Sequence, residues 1–209
     1  MTDLVFRDTK GSRLTSTEGD ANLRELDLRT ASGWNDLVQD VTVRSGANAP
    51  SPTIFIGGIS AYEFSPTTMN ECFVNFHMRH DYIAGTMVYP HVHWSHNTAV
   101  TGVVRWGFEY TMARRNDSTG VVTFGATQTL YIEHTVTLGE TYQHHVNEAA
   151  DGLGISGTDL QEDAIIMCRV FRDATHANDT YPDPIHLLTV DIHYECNTLS
   201  TPLRVPPFN

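Results

Sequence analysis

Residues 103–112 read VVRWGFEYTM, and the alternate positions of this stretch differ sharply in polarity. One set is apolar throughout and consists of Val104, Trp106, Phe108, Tyr110 and Met112. The other set is mostly polar or small and consists of Val103, Arg105, Gly107, Glu109 and Thr111. Because successive side chains of a β-strand point to opposite faces of the sheet, this pattern predicts a strand with one buried face.

The same kind of pattern recurs along most of the chain. Three stretches alternate clearly and three more are candidate strands: 72–79, 129–137 and 186–195, then 53–64, 86–96 and 164–172. Clusters of Gly, Asn, Asp and Pro separate them, and helical periodicity is nearly absent. This pattern predicts an all-β fold, a two-sheet antiparallel sandwich or jelly roll. The predicted core includes Phe76, Trp106, Phe108, Ile132, Val190 and Ile192.

These patterns divide the chain into three parts. We predict an N-terminal arm over 1–50, a β-sandwich body over 51–197 and an extended C-terminal tail over 198–209. The tail contains three prolines, which exclude helix and disfavour strand pairing. The segment 139–159 is the one long interruption of the body, and its composition predicts a short helix followed by a glycine-rich loop.

A short helix is also predicted in the N-terminal arm. Ser16 or Thr17 can cap it, and Leu23 and Leu26 contribute to an incomplete apolar face. One such helix cannot hold a core of its own. We therefore expect it to dock on another surface, such as a neighbouring subunit.

The charge of the chain excludes one class of partner. The sequence has 13 basic and 25 acidic residues, for a formal charge of −12. Nucleic-acid binding depends on clustered Lys and Arg, so no nucleic-acid partner is expected. No membrane partner is expected either, because no window approaches the roughly 18 consecutive apolar residues of a membrane span. The first residues lack the apolar region of a secretory signal, which predicts synthesis in a cytoplasm.

Three cysteines, Cys72, Cys168 and Cys196, are present without a CxxC spacing. An odd number without that spacing indicates neither a disulfide framework nor a zinc site. Cys72 and Cys168 lie at apolar positions of alternating stretches, so we predict that both are small core residues.

The densest histidine motif is PHVHWSH, residues 90–96. His91 and His93 are two residues apart on a predicted strand, so both rings leave the same face, whereas His96 points the other way. Two imidazoles on one face can bind one metal ion, and His91 and His93 are the predicted metal ligands. The alternative is that these histidines line a solvated or subunit-facing polar strand face, together with His77, Arg105, Glu109, Glu133, Asp191 and His193. His144 and His145 are expected on a loop surface.

The spacing of Gly85, five residues and then His91-Val92-His93 resembles the first cupin motif. Asn97 and Thr98 stand where the cupin glutamate is expected, and the second motif is missing. Only two of the four ligands of a cupin site are therefore in place. A nucleophile elbow of the GxSxG form is missing as well. No catalytic residue is predicted, and a cupin-like metal-dependent enzyme ranks third among the candidate functions.

Two stretches resemble virion proteins of tailed bacteriophages. Residues 10–26, KGSRLTSTEGDANLREL, are similar to a segment at the start of phage tail-fibre and other virion-associated subunits. The matching positions are Lys10, Gly11, Ser12, Leu14, Thr15, Glu18, Asp20, Asn22, Leu23 and Leu26. The second stretch, residues 71–94, contains HDY and PHVHW and resembles a block found in many phage proteins.

This resemblance implies a structural component of a phage particle, located in the virion and without enzymatic activity. A capsid decoration or cement protein that binds capsid or neck subunits is the first expectation, and a tail or head fibre subunit with a receptor-facing domain is the alternative. The N-terminal segment would then anchor the protein through Lys10, Leu14, Leu23 and Leu26. A homo-oligomer, in particular a trimer, is implied, and no cofactor is expected apart from a metal ion at His91 and His93.

Overall fold

The computed structural model describes residues 10–114 and 123–197, with the backbone alone for residues 24–31. Its helix and strands are α1 (Ser16–Ala31), β1 (Gly33–Gln39), β2 (Ser51–Ile56), β3 (Ile59–Phe64), β4 (Glu71–His77), β5 (Tyr89–Ser95), β6 (Gly102–Ala113), β7 (Gln128–Val136), β8 (His145–Glu148), β9 (Ile165–Arg172) and β10 (Ile185–Cys196). A short 3-10 helix covers Gly157–Asp159. Among these residues, no helix combines the length and the apolar character needed to cross a membrane. The predicted C-terminal tail, 198–209, lies outside the described residues.

The strands form two antiparallel sheets. Sheet A has the order β2-β3-β10-β5-β8, with β1 also paired to β10, and sheet B has the order β4-β9-β6-β7. If β3 to β10 are counted as eight successive strands, sheet A contains the first, eighth, third and sixth, and sheet B the second, seventh, fourth and fifth. This is the strand order of a jelly roll. The predicted fold class is therefore confirmed.

The core lies between the two sheets. All six predicted core residues are at most 6% exposed: Phe76, Trp106, Phe108, Ile132, Val190 and Ile192. Cys72 and Cys168 are buried with them, as predicted. Burial raises the pKa of the Cys72 thiol to about 12 and raises that of Cys168 as well. Both thiols therefore stay protonated, which makes them core groups rather than metal ligands.

Strand β10 is the centre of sheet A. It pairs with β3 through residues 185–187, with β5 through residues 186–193 and with β1 through residues 190–196. A bulge shifts the register between Leu187 and Thr189. Leu187 is buried, whereas Leu188, which the regular alternation placed with Val190, is 42% exposed. The extra residue of a bulge moves the following side chains to the other face, and a regular pattern cannot anticipate this.

The sheet begins within the part of the chain that the sequence assigned to the arm. Strand β1 pairs with β10 from Gly33 opposite Cys196 to Gln39 opposite Val190, and its Leu37 is buried. The predicted boundary at residue 50 thus does not coincide with the start of the sheet, which lies at residue 33. A strand with one clearly apolar core position gives too weak an alternation to be recognised.

Helix α1 forms where the sequence predicted it, but its cap is Thr15 rather than Ser16 or Thr17. The Thr15 hydroxyl accepts a hydrogen bond from the backbone N–H of Glu18, whose carboxylate accepts one from the backbone N–H of Thr15. This reciprocal capping box stabilises the first turn. Lys10, one of the predicted anchor residues, forms an ion pair with Glu18.

The other anchor residues are placed unequally. Leu14 is partly buried and Leu23 is 67% exposed, whereas the side chain of Leu26 lies outside the described residues. The prediction that these leucines anchor the protein in a neighbour remains a prediction.

The segment 139–159 differs from its prediction. Instead of a helix and a glycine-rich loop, it contains strand β8 and the 3-10 helix Gly157–Asp159. Strand β8 pairs with β5, which places Asn147 opposite Val92 and His145 opposite Trp94. A four-residue strand with polar side chains towards the core has no apolar alternation, which is why the sequence did not reveal it.

Candidate functional site

The outer face of sheet A, which points away from sheet B, carries a group of polar side chains. Val92 and Trp94 of β5 and Val190 and Ile192 of β10 lie in the core, so the alternate residues of both strands point outward. Six residues of β1, β5, β8 and β10 form what we call the outer cluster: Asp36, His91, His93, Glu148, Asp191 and His193. The strand register brings them together, because Asp191 lies opposite His91 and His193 lies opposite Asp36.

Asp191 lies between the two histidines of the His-x-His motif. Its Oδ2 is 3.5 Å from Nε2 of His91 and 3.2 Å from Nε2 of His93. Its Oδ1 accepts a hydrogen bond of 3.1 Å from the hydroxyl of Thr189. On the other side of His93, Nδ1 is 2.8 Å from Nε2 of His144. One carboxylate oxygen therefore faces two imidazole nitrogens.

His193 has a different environment within the outer cluster. Its Nε2 lies 2.7 Å from Oδ1 of Asp36, and its Nδ1 contacts the carboxylate of Glu148. Its ring stacks on that of His91 with a centroid distance of 4.4 Å. Both nitrogens of His193 thus have carboxylate partners, which holds the ring in place beside the His-x-His pair.

Burial decides the charge of the central residues. His91 is 1% exposed and Asp191 is 4% exposed. Burial lowers the pKa of His91 and outweighs the opposing effect of Asp191. Burial alone would raise the pKa of Asp191, but its polar contacts with His91 and His93 hold that pKa below the usual range. At neutral pH the pair therefore consists of an ionised carboxylate and a neutral imidazole.

The structure brings together the two predicted metal ligands, His91 and His93, and adds Asp191 as a third group. The alternation of the sequence places Asp191 and His193 on a polar strand face but does not connect them with the His-x-His motif. The Asp191-Ile192-His193 spacing is the same as that of His91-Val92-His93, and that was the available signal. Asp36 carries no comparable signal, because β1 was not recognised as a strand.

A second polar group, the inner cluster, lies on the core side of β5, β7 and β8 and consists of His96, His134, Glu140 and His145. His145 is 7% exposed and stacks on Trp94 with a centroid distance of 4.6 Å. The prediction that His145 lies on a loop surface is therefore wrong. Pairing of β8 with β5 places this ring in the interior.

Hydrogen bonds fix two tautomers in the inner cluster. Nδ1 of His96 lies 2.8 Å from the carbonyl oxygen of Thr98, which can only accept, so Nδ1 of His96 is the protonated nitrogen. Trp94 donates to Oδ1 of Asn147, which leaves the Asn147 amide to donate to Nδ1 of His134. The neutral His134 ring therefore carries its proton on Nε2.

Burial holds His134 and His145 of the inner cluster in the neutral state. It lowers the pKa of His145 to about 4, with a further lowering by the charges of His134 and His96, while Glu140 acts in the opposite direction. Burial likewise lowers the pKa of His134. These two imidazoles are thus neutral at pH 7, although a carboxylate lies beside them.

We expect acidification to destabilise the fold through His145. Between its folded-state pKa of about 4 and its ordinary value near 6.5, the unfolded chain binds the proton more readily, so stability falls as pH falls through this window. Solvent screening reduces the full linkage value, and we expect His145 to contribute about 1–2 kcal/mol between pH 7 and pH 4.5. Urea unfolding at both pH values measures the loss.

The matched variants for this prediction are His145→Gln and His80→Gln. The first removes the buried imidazole and should reduce the pH-dependent loss of stability, while the second changes a side chain that is 77% exposed and should leave the loss unchanged. Equal pH dependence in both variants and the wild type would contradict the assignment to His145.

Comparisons with known proteins find distant structural likenesses. No protein family and no curated protein matches the chain. The CBM22-2 xylan-binding domain of Paenibacillus barcinonensis Xyn10C is 12% identical, with a TM-score of 0.35 over 78% of this chain and 91% of that domain. TmCBM61, solved in complex with β-1,4-galactotriose, is 15% identical, with a TM-score of 0.29 over 78% and 86%. The unassembled KI polyomavirus VP1 pentamer is 12% identical, with a TM-score of 0.25 over 80% and 94%. Likenesses this distant carry no argument about this chain, so the fold assignment rests on its own strand order.

Proposed function

We propose that the protein is a non-enzymatic structural subunit of a tailed-bacteriophage particle, which assembles with copies of itself and binds capsid or neck subunits as a decoration or cement protein. Two sequence resemblances, at residues 10–26 and 71–94, support the particle assignment. The jelly roll is compatible with it, since capsid proteins are among the proteins that use this architecture. The observation that carries the assembly role is the β2–β3 hairpin.

The β2–β3 hairpin presents apolar side chains at the edge of sheet A. Ile54, Ile56 and Ile59 are 67%, 51% and 66% exposed. Among the strands that the structure describes, β2 pairs with β3 alone, so its other edge is open. Soluble proteins usually protect an open edge with charged side chains or bulges, because an unprotected edge accepts a further strand. Here residues 51–62 contain no charged residue, and the features that oppose pairing are Pro52 and a register shift between Ile54 and Ile56.

A second copy of the chain is the occupant that this hairpin fits. Each subunit has a formal charge of −12, so most approaches between two copies are repulsive. The charge-free hairpin is a surface on which two copies approach with little repulsion and bury isoleucine side chains. Pairing between open strand edges is an established mode of association. We therefore assign self-assembly to the hairpin.

We expect the triple variant Ile54→Lys, Ile56→Lys, Ile59→Lys to be a folded monomer under conditions in which the wild type is an oligomer. The three side chains are exposed, so the substitutions should change the unfolding free energy by little, whereas lysines on an edge strand oppose pairing. Sedimentation velocity measures the assembly state, and circular dichroism checks the fold. Leu153→Lys, at a leucine that is 68% exposed elsewhere, is the control and should remain oligomeric.

A wild-type chain that is monomeric at micromolar concentration, or a triple variant that assembles normally, would contradict the assembly role. The particle assignment has its own test, which is mass spectrometry and antibody labelling of purified phage particles. Label on the head or neck supports the decoration protein, label on a fibre supports the alternative of a fibre subunit, and particles without the chain contradict both.

A further inference from the structure

The distances around Asp191 are those expected of ligands that share one metal ion. In a tetrahedral site with bonds of about 2.0–2.1 Å, two ligand atoms lie about 3.3 Å apart. Oδ2 of Asp191 lies 3.5 Å from Nε2 of His91 and 3.2 Å from Nε2 of His93. Direct N–H···O hydrogen bonds are shorter, near about 2.9 Å. Both oxygen-to-nitrogen distances are therefore longer than the best hydrogen bonds and match those between ligands of one ion, and ligand atoms of all three residues lie within 4.8 Å of one another.

The hydrogen-bond pattern leaves these atoms available to a ligand. Within the described part of the chain, Nε2 of His93 is buried and has no hydrogen-bond partner, although it lies 3.2 Å from Oδ2 of Asp191. Oδ1 of Asp191 is occupied by Thr189, which leaves Oδ2 directed at the two rings. Buried polar atoms without a partner are uncommon in folded proteins and indicate a bound ion or water.

Charge also favours a cation at this position. The carboxyl group of Asp191 belongs to a residue that is 4% exposed, and among the residues the structure describes no Lys or Arg forms an ion pair with it. An uncompensated buried charge is costly, and a metal ion removes that cost.

Neighbouring groups are less suited to the same role. Nε2 of His193 is geometrically close to His91 and Asp36, but both nitrogens of His193 already contact carboxylates. In the inner cluster, both oxygens of Glu140 accept hydrogen bonds from Thr137. Unlike Glu140, Asp191 keeps one oxygen, Oδ2, that accepts no hydrogen bond from a described residue, and this favours the set of His91, His93 and Asp191.

We propose that the outer cluster binds one divalent transition-metal ion, with Nε2 of His91, Nε2 of His93 and Oδ2 of Asp191 as its protein ligands. Two imidazoles and one carboxylate are borderline donors that suit zinc, whose sites often keep a fourth position for water or another ligand. The sequence showed two of these ligands, and the fold supplies the third from β10, which is distant in the chain. This inference does not depend on the role of the protein in a particle.

The test is zinc binding to the untagged, full-length chain after removal of metals with a chelator. Isothermal titration with zinc chloride should give about one ion per chain, and the melting temperature should rise by several degrees when zinc is added. Asp191→Asn and His93→Gln should each weaken zinc binding by at least the roughly 10–100-fold that follows loss of a residue that only orients a ligand. Asp191→Asn retains the shape of the side chain, and His93→Gln changes a side chain with 17% exposure. A loss of zinc binding in both variants would therefore not be due to misfolding of one of them.

Two control variants locate the ion. His80→Gln tests adsorption to exposed histidines, and His96→Gln tests the inner cluster; both should bind zinc like the wild type. Less than about 0.1 ion per chain, unchanged binding in Asp191→Asn and His93→Gln, or loss of binding in His96→Gln would overturn the proposal. The triple hairpin variant should bind zinc normally, so failure of the metal site and failure of the assembly role are distinguishable.

Discussion

Replacing Arg172 by methionine should lower the free energy of unfolding by about 3–5 kcal/mol, because it leaves a buried carboxylate without its partner. The Arg172 side chain is fully buried, and its guanidinium binds Asp179 through two hydrogen bonds of 2.8 and 3.0 Å. It also donates to the backbone carbonyls of Phe64, Tyr181 and Asp183. Arg172 thereby connects the end of β3 to the segment that leads into β10.

Two comparisons isolate the effect of the unpaired charge. Arg169 lies on the same strand, and Arg169→Met also breaks ion pairs, here with Glu71 and Glu109. Because these pairs are partly exposed, Arg169→Met should lower the free energy of unfolding by about 1 kcal/mol or less. The double variant Arg172→Met, Asp179→Asn should be more stable than Arg172→Met alone, because it removes the buried carboxylate charge. Chemical denaturation measures all three. Equal losses for Arg172→Met and Arg169→Met would contradict the role assigned to the buried charge.

Replacing Trp106 by alanine should also lower the free energy of unfolding by about 3–5 kcal/mol, but for a different reason. Trp106 is fully buried at the centre of the core, with ring centroids 5.2 Å from Phe64 and 6.4 Å from Trp94. Alanine removes this packing and leaves a cavity between the two sheets. For a chain of this size, the melting temperature should fall by roughly 10 °C.

A second variant, Trp106→Phe, should be compared with the alanine variant. The indole nitrogen of Trp106 has no hydrogen-bond partner among the described residues, so phenylalanine removes a buried unsatisfied donor while it retains most of the packing. We expect Trp106→Phe to lower the free energy of unfolding by less than half as much as Trp106→Ala. Met167→Ala, at an outward-facing residue of sheet B that is 41% exposed, should change the melting temperature little. A similar loss in Trp106→Ala and Met167→Ala would show that the buried faces have been assigned incorrectly.

The sequence predicted the elements whose apolar alternation is long. Strand β6 has four buried apolar residues on one face, Val104, Trp106, Phe108 and Tyr110, and an alternation of this length is typical of a strand with one buried face. Strands β1 and β8 were missed because their inward positions include Asn35, His145 and Asn147. Polar residues in these positions are stabilised by partners from distant strands, and a local pattern contains no information about such partners.

The candidate site was predicted in part for the same reason. The spacing of His91 and His93 is a local property, so the motif was visible in the sequence. Asp191 joins them because β10 pairs with β5 in a particular register, and Asp36 joins because β1 pairs with β10. Register is decided by the whole fold, with one bulge near Leu188, and a shift by one residue would move all of these side chains to the opposite face.

The central position of β10 has a consequence for the order in which the molecule can fold. In the described sheet, strands β1, β3 and β5 have no direct pairing with one another, and each of them pairs with β10. During synthesis, β1 therefore has no partner, and the β2–β3 and β5–β8 pairs cannot join, until residues 185–196 have been made. Contacts between such distant parts of a chain form slowly, on a timescale of roughly milliseconds to seconds. Until then the apolar faces of the three strands are exposed to each other and to other nascent copies, so this chain should depend on chaperones that hold incomplete chains apart.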